Sequence, residues 1–356
     1  MQNKKVSFPH MGDYHCVFKS LAELIGDPLV PPPITKKTIE LGFKHSPESA
    51  CIPFKYNLGN YIEALDAGAN VIFQAGGGCR FGYYGEIQEY ILRQMGYEFD
   101  LIKLSNNRNL FDIVGDFKKA NPAKSRYEIV ARIVLCLAKF FAIDQICDKI
   151  RKNAGFESKK GAIDAAYQKF LADVEKAESL PRVFAAKKQC LDDIAKIKIN
   201  KPADCPRVGI IGEVYMLMEP FANFYLEKKM AERNIEVHRF VNVSGILKEY
   251  FVGRSHVKKY AQKARPYLKH PIGAHGTESV GRAHELAKAG FDGIIHLKPF
   301  GCMPEVSAMS ALNNIAKDYR IPIMYFSFDS QTSEGGVATR IEAFCDMLFM
   351  KKDHKK

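Results

Sequence analysis

Long apolar runs are missing from this chain of 356 residues. No stretch approaches the roughly 20 uninterrupted apolar residues that a bilayer-spanning helix requires. The richest one, 129–146, is interrupted by Arg132, Lys139 and Asp144, and reads as a buried amphipathic helix. The amino terminus, MQNKKVSFPH, passes into a strand-like run without an apolar signal core or a small-residue cleavage site. A soluble, cytoplasmic protein with no membrane partner is therefore expected. The phosphate loop G-x-x-x-x-G-K-[ST] is also absent, so the chain does not hold a nucleoside triphosphate in that way. Gly76, Gly77, Gly78 and Gly82 follow a strand-like run but miss the G-x-G-x-x-G register of dinucleotide-binding turns.

What the chain has in quantity is apolar residues, 47% of the total, enough for more than one core. Lys and Arg together number 52 against 40 Asp and Glu, a net charge of +12. That charge is spread through helices mixing Lys with Glu and through a lysine-rich tail. It forms no concentrated basic helix and matches no nucleic-acid motif, so no nucleic-acid partner is expected. A solvated surface is the plain reading. An anionic partner, such as a CoA nucleotide or an acidic protein, is the alternative.

Strand and helix patterns alternate over residues 1–112. Strand-like runs fall at 4–8, 70–74 and 99–104, with helical periodicity at 15–25, 56–67 and 85–95. Residues 113–203 change character: 126–152 and 160–197 are long, charged and helix-periodic. Alternation resumes at 204–356, with strand-like runs at 207–211, 237–241, 293–297 and 323–327. Helical patterns there cover 220–233, 277–289, 306–319 and 338–350. Repeated strand–helix units predict parallel sheets with helices on both faces. The expected fold is α/β: two doubly wound, Rossmann-like domains at 1–112 and 204–356, joined by a helical segment at 113–203.

Nine cysteines are scattered along the chain, an odd number without a compact secreted-type framework. Cys136, Cys147, Cys190 and Cys345 occupy apolar helical patterns and read as small buried hydrophobes. Cys205 is intermediate, and Cys16, at the start of a helix after the first strand, is a reserve ligand. Cys51, Cys79 and Cys302 are different. Each lies in a Gly- or Pro-rich turn near the carboxyl end of a strand pattern or the start of a helix, where open α/β sheets gather ligands. Thiolates select iron–sulfur clusters or zinc, and flanking glycines let the backbone approach closely. Three ordinary loop cysteines remain the alternative. Weaker candidates are Glu213, at the end of a strand pattern, and His275, near His270 and Glu278 in a Gly-containing loop. A helix-capping glutamate and an exposed loop histidine are the alternatives there. Gln331, Thr339 and Arg340 mark the last strand-to-helix turn, an anion site or simply a helix cap.

The runs at 46–55 (SPESACIPFK), 78–84 (GCRFGYY), 296–305 (HLKPFGCMPE) and 335–344 (GGVATRIEAF) carry a resemblance. Together they resemble the motifs of the 2-hydroxyacyl-CoA dehydratase and benzoyl-CoA reductase subunit superfamily. The branch most similar comprises the proteins described as acyl-CoA dehydratase activase-related, relatives of the double-cubane cluster proteins. The resemblance implies one 4Fe–4S cluster per chain on Cys51, Cys79 and Cys302, with Gly78, Arg80 and Gly301 as its close neighbours. A double-cubane cluster would take six cysteines, and only three lie in matching loops. The resemblance also implies a separate ATP-dependent 4Fe–4S activator ATPase that injects a low-potential electron. The acceptor then performs radical dehydration or reduction of a CoA thioester or another small molecule, as an oxygen-sensitive lyase or oxidoreductase. A second dehydratase-type subunit or another copy of this chain is a further implied partner. Two other readings stand beside this one: a non-catalytic cluster protein that relays electrons, and a binding protein with a structural zinc.

Overall fold

The computed structural model describes residues 4–74, 80–103, 110–252 and 255–353. The chain forms two compact units, Met1–Phe141 with Val174–Val183, and Ala142–Asp173 with Phe184–Lys356. Each contains a four-stranded, wholly parallel sheet, so the α/β, doubly wound expectation holds. The helical stretch expected at 113–203 as a connector is instead divided between the two units.

In the first unit the strands are β1 (Lys5–Ser7), β2 (Asp27–Pro28), β3 (Val71–Gln74) and β4 (Asp100–Lys103), in the order β2-β1-β3-β4. β2 is two residues long and includes Pro28, which an edge strand tolerates because one of its sides has no ladder to donate to. β3 is buried along its whole length, as a central parallel strand must be. Successive side chains of a strand point to opposite faces. Val71 and Phe73 accordingly join one core with Val6, Val114, Phe117, Ile129 and Ile133. Ile72 joins the other, with Phe54, Leu58, Ile62, Leu65 and Leu92. Helices cover both faces.

Two polar features complete that unit. Lys139, although 1% exposed, donates to Ser20 Oγ at 3.1 Å and to the Glu175 carbonyl at 3.3 Å. With the Lys19–Glu175 ion pair at 2.6 Å, it fastens the Val174–Val183 segment to its unit. The second feature is a close helix crossing. A Cβ on Gly42 would lie 1.9 Å from the Lys55 carbonyl oxygen, and one on Gly59 1.9 Å from that of Thr38. Only glycines allow helices Lys36–His45 and Ile52–Asp66 to meet backbone to backbone.

In the second unit β5 (Arg207–Gly212), β6 (Glu236–Arg239), β7 (Gly293–Pro299) and β8 (Ile323–Phe328) take the order β6-β5-β7-β8. Ile211 and Ile294 pack with Val280, Ala283 and Leu286 of helix Gly276–Lys288 and with Leu312 and Ile315 of helix Met303–Tyr319. The opposite face is covered by helix Glu334–Asp353, whose Phe344 ring leaves no room for a side chain on Gly293. Both sheets thus follow one winding rule: second strand, first, third, fourth. Among the described residues no helix is long and apolar enough to cross a membrane.

Candidate functional site

Parallel α/β sheets present ligands at the carboxyl ends of their strands, near the point where the winding reverses. Each unit has such an edge.

In the first unit Cys51 caps helix Ile52–Asp66 with extended backbone, φ −76° and ψ 165°, and its side chain makes no capping hydrogen bond. Pro53 sits in the first turn, where its missing N–H costs nothing. The Cys51 Sγ lies 3.0 Å from the Tyr84 hydroxyl, at the start of helix Tyr84–Gln94. Tyr84 stacks edge-on against Phe54, centroids 4.8 Å apart, and Gln88 donates to the Phe54 carbonyl at 3.0 Å. The first turn of the Cys51 helix is therefore clamped by helix Tyr84–Gln94 on one side and by the glycine crossing on the other. Arg80 opens a short 3-10 turn, Arg80–Tyr83. Gly78 and Cys79 lie outside the described residues.

The second unit builds its edge around the end of β7. Pro299 ends the strand, Gly301 adopts φ +74°, and the turn closes with the Cys302 amide donating to the Pro299 carbonyl at 3.2 Å. Cys302 caps helix Met303–Tyr319 as Cys51 caps its own helix: extended backbone, no capping bond from the side chain, and a proline in the first turn. Both thiols are partly exposed. A helix amino terminus favours a thiolate over a thiol.

Charged groups surround Cys302. Lys298, 6% exposed, donates to Ser327 Oγ at 3.0 Å. Burial pulls its ammonium below the ordinary lysine range, while the charges of Cys302 and Glu305 oppose that pull. Glu305 Oε2 meets His296 Nε2 at 2.7 Å, both residues fully enclosed. Glu213 is partly exposed and fulfils the capping alternative, accepting from the Tyr215 and Met216 amides at 3.1 and 3.0 Å. Burial pushes its carboxyl up, against the pull of those amides and of His275, and Glu305 adds to the rise.

His275 immediately precedes helix Gly276–Lys288. Its Nδ1 donates to Glu278 Oε2 at 3.1 Å, and Arg282 Nε donates to Glu278 Oε1 at 2.7 Å. Arg282 lies over the ring of Tyr260 at 4.2 Å and that of Phe240 at 5.2 Å. Burial raises the Glu278 carboxyl, but the His275 hydrogen bond and the Arg282 charge outweigh it and hold the group at about 2. This buried row ends at the partly exposed His275 ring, where a carboxylate-oriented imidazole can give or take a proton. The preceding residue, Ala274, stands at φ +49°, a conformation that costs a residue with a Cβ on the order of 1 kcal/mol. A Cβ on Gly276 would come 2.6 Å from the Pro304 carbonyl oxygen, so the His275 loop abuts the first turn of the Cys302 helix.

Of the sequence candidates, the second edge thus gathers Cys302, Gly301, Glu213 and His275. His270 is exposed on the approach to that loop. The same edge holds Lys298, Glu305, His296 and Arg282, to which the sequence alone assigns no role. A signal existed for two of them: His296 and Lys298 are polar residues in a strand buried at every position. Cys16 is 2% exposed, with burial pushing its thiol up to about 12, and Cys136 is similar. Burial likewise lifts Cys190 and Cys345 to about 11. Cys147 is partly exposed but sits within helix Arg126–Asn153, 3.1 Å from the Tyr167 hydroxyl. No group of three or more His, Cys, Asp and Glu is arranged to hold a metal among the described residues. As donors, Cys51 and Cys302 fit a soft metal or cluster: both are accessible and sit at helix amino termini.

No protein-family model matches the chain, and no curated protein matches it either. Two solved structures of the SBP FpvC from Pseudomonas aeruginosa, one with Ni2+ and one with Mn2+, are weakly similar. The first has TM-score 0.26 and 10% identity, covering 98% of this chain and 98% of its own. The second has TM-score 0.25 and 12% identity, covering 98% of this chain and 100% of its own. Likeness at that level carries no argument about fold or activity.

Proposed function

We propose that this chain is a cytoplasmic, oxygen-sensitive iron–sulfur protein of the 2-hydroxyacyl-CoA dehydratase type. Cys51, Cys79 and Cys302 supply three thiolates to a 4Fe–4S cluster, and a separate ATP-dependent activator supplies the low-potential electron. The substrate is a CoA thioester or a related small molecule that undergoes radical dehydration or reduction. Bound there, the cluster provides one-electron chemistry and an open iron position.

One observation carries this reading. Cys51 and Cys302 share a local design that none of the other described cysteines has, an accessible thiol capping a helix that starts Pro-in-first-turn at a sheet's ligand edge. Around Cys302 the chain adds what proton-coupled chemistry needs. His275, oriented by the Glu278 carboxylate, moves a proton at Nε2, and Glu213 holds the neighbouring turn. Phe300 and Met303, 68% and 63% exposed, offer an apolar rim for an acyl chain.

Anaerobic isolation tests the reading. The protein is expected to be brown, with about four irons and four sulfides per chain, as a cubane requires. Cys51→Ser and Cys302→Ser should each lose most of that iron, whereas Cys190→Ser should keep it. Colourless protein that cannot be reconstituted under argon overturns the proposal, and bound zinc with no visible absorbance would replace it with a structural site.

A further inference from the structure

Ile294, His296 and Lys298 share one face of β7, because alternate residues of a strand point the same way. Ile294 packs under helices Gly276–Lys288 and Met303–Tyr319. His296 Nε2 meets Glu305 Oε2, in the first turn of the second of these helices, at 2.7 Å. Lys298, two residues nearer the carboxyl end of the strand, therefore stands at the amino terminus of that helix. The intervening turn ties strand and helix together. The Phe300 amide donates to the Phe328 carbonyl at 2.7 Å, and the Cys302 amide to the Pro299 carbonyl at 3.2 Å. This corner has more donors than acceptors. Lys298 is 6% exposed, and among the described residues its ammonium, with three donors, meets only Ser327 Oγ, at 3.0 Å. The carboxylates nearest along the chain are engaged elsewhere, Glu305 with His296 and Asp329 with the Gln331 amide and the Thr332 hydroxyl. Ser327, the partly exposed cross-strand partner of Lys298, accepts that bond and keeps its own O–H to donate. The helix start is open too: Cys302 caps it without a side-chain hydrogen bond, and the first amides of a helix have no partner within it.

We propose that this corner of the second unit is an oxyanion site. Lys298 Nζ, Ser327 Oγ and the first amides of helix Met303–Tyr319 hold the carboxylate or phosphate of a small ligand. The inference goes beyond the iron–sulfur reading and needs no metal, since every group in it belongs to one unit. Enclosing an ammonium with a single neutral partner costs free energy that a bound anion restores. Hydrogen bonds to a charged acceptor are the strong ones, and a helix amino terminus adds its positive end to them. A lysine recognises its partner as a point charge and not through a planar fork, so the site selects for negative charge.

The test is isothermal titration calorimetry of the full-length protein, as isolated, with sodium phosphate and with sodium acetate at constant ionic strength. Saturable binding of at least one anion is expected, weakened about tenfold or more in Lys298→Met. Lys196→Met, which removes a solvent-exposed lysine, should leave the affinity unchanged. Tighter phosphate binding assigns a phosphorylated ligand, and tighter acetate binding a carboxylic acid. No saturable binding of either anion, or equal affinity in Lys298→Met and wild type, overturns the inference. Should Lys298→Met fail to fold by circular dichroism, Ser327→Ala decides. A loss of about threefold supports the site, and an unchanged affinity overturns it. Iron content separates the two readings. Iron-free protein that binds the anion keeps this inference while the iron–sulfur reading falls, and cluster-loaded protein that binds neither anion does the reverse.

Discussion

The two units wind identically yet arm the same positions with different chemistry. In both, the last helix before the third strand begins at the ligand edge. Cys51 precedes that helix in the first unit and His275 in the second. In both, a candidate thiol follows the third strand in sequence, Cys79 after β3 and Cys302 after β7. The first edge is held by shape: glycines in a backbone crossing and an aromatic ring clamped on the first helical turn. Charge holds the second, through the Arg282–Glu278–His275 row and the enclosed His296–Glu305 pair. One frame can therefore carry different edge groups, because the backbone sets where an edge residue sits and not what it is.

If shape holds the first edge, overpacking it should do the most damage. Gly59→Val places two methyl groups where even a Cβ would lie 1.9 Å from the Thr38 carbonyl oxygen. Backbone cannot yield as a flexible side chain does. The expected loss is more than about 3 kcal/mol, at the upper end of overpacking costs. Urea unfolding followed by far-ultraviolet circular dichroism would measure it, and the loss should be the same at pH 7 and pH 4. A tolerated valine would mean that the helices separate easily and that Cys51 is not rigidly placed.

The second edge should instead respond to acid. Glu278 is held at about 2 against an ordinary value of 4.5, so its folded form binds a proton less readily than its unfolded form. Its contribution is fully present above pH 4.5 and is lost as the pH falls from there towards 2. A shift of this size corresponds to about 3 kcal/mol. Glu278→Gln should cost roughly that amount at pH 7, and the gap between variant and wild type should narrow by pH 3. A gap independent of pH would mean that Glu278 acts through packing and not through its ion pair with Arg282.

Much of this frame was legible in the sequence. Short, mostly apolar runs such as 71–74 and 293–297 announce strands, and the Pro- and Gly-marked turns announce the edges. Glu213 and the His275–Glu278 spacing were visible because short-range contacts follow from i, i+2 and i, i+3 geometry. Legibility stopped where partners are distant in sequence. Nothing near Lys298 names Ser327, and nothing near Lys139 announces the Glu175 carbonyl that draws the 174–183 segment into the first unit. For the same reason the helical stretch read as a connector: periodicity gives a helix its face but not the body that face joins.

A third substitution sharpens the comparison, because the second edge also has one close backbone contact. A Cβ on Gly276 would meet the Pro304 carbonyl oxygen at 2.6 Å and Ile272 Cγ2 at 2.8 Å. Both are looser than the 1.9 Å approach in the first unit, and one partner is a side-chain methyl that can rotate away. Gly276→Ala should therefore cost only about 1 kcal/mol. Its more telling effect would be on position. Pushing the loop off the Cys302 helix should lengthen the His275–Glu278 hydrogen bond, which a nitrogen-15 imidazole spectrum reads as a weakened Nδ1–H signal. Full stability loss with that signal intact would show that the loop and the helix move together, and that His275 is placed by charge alone.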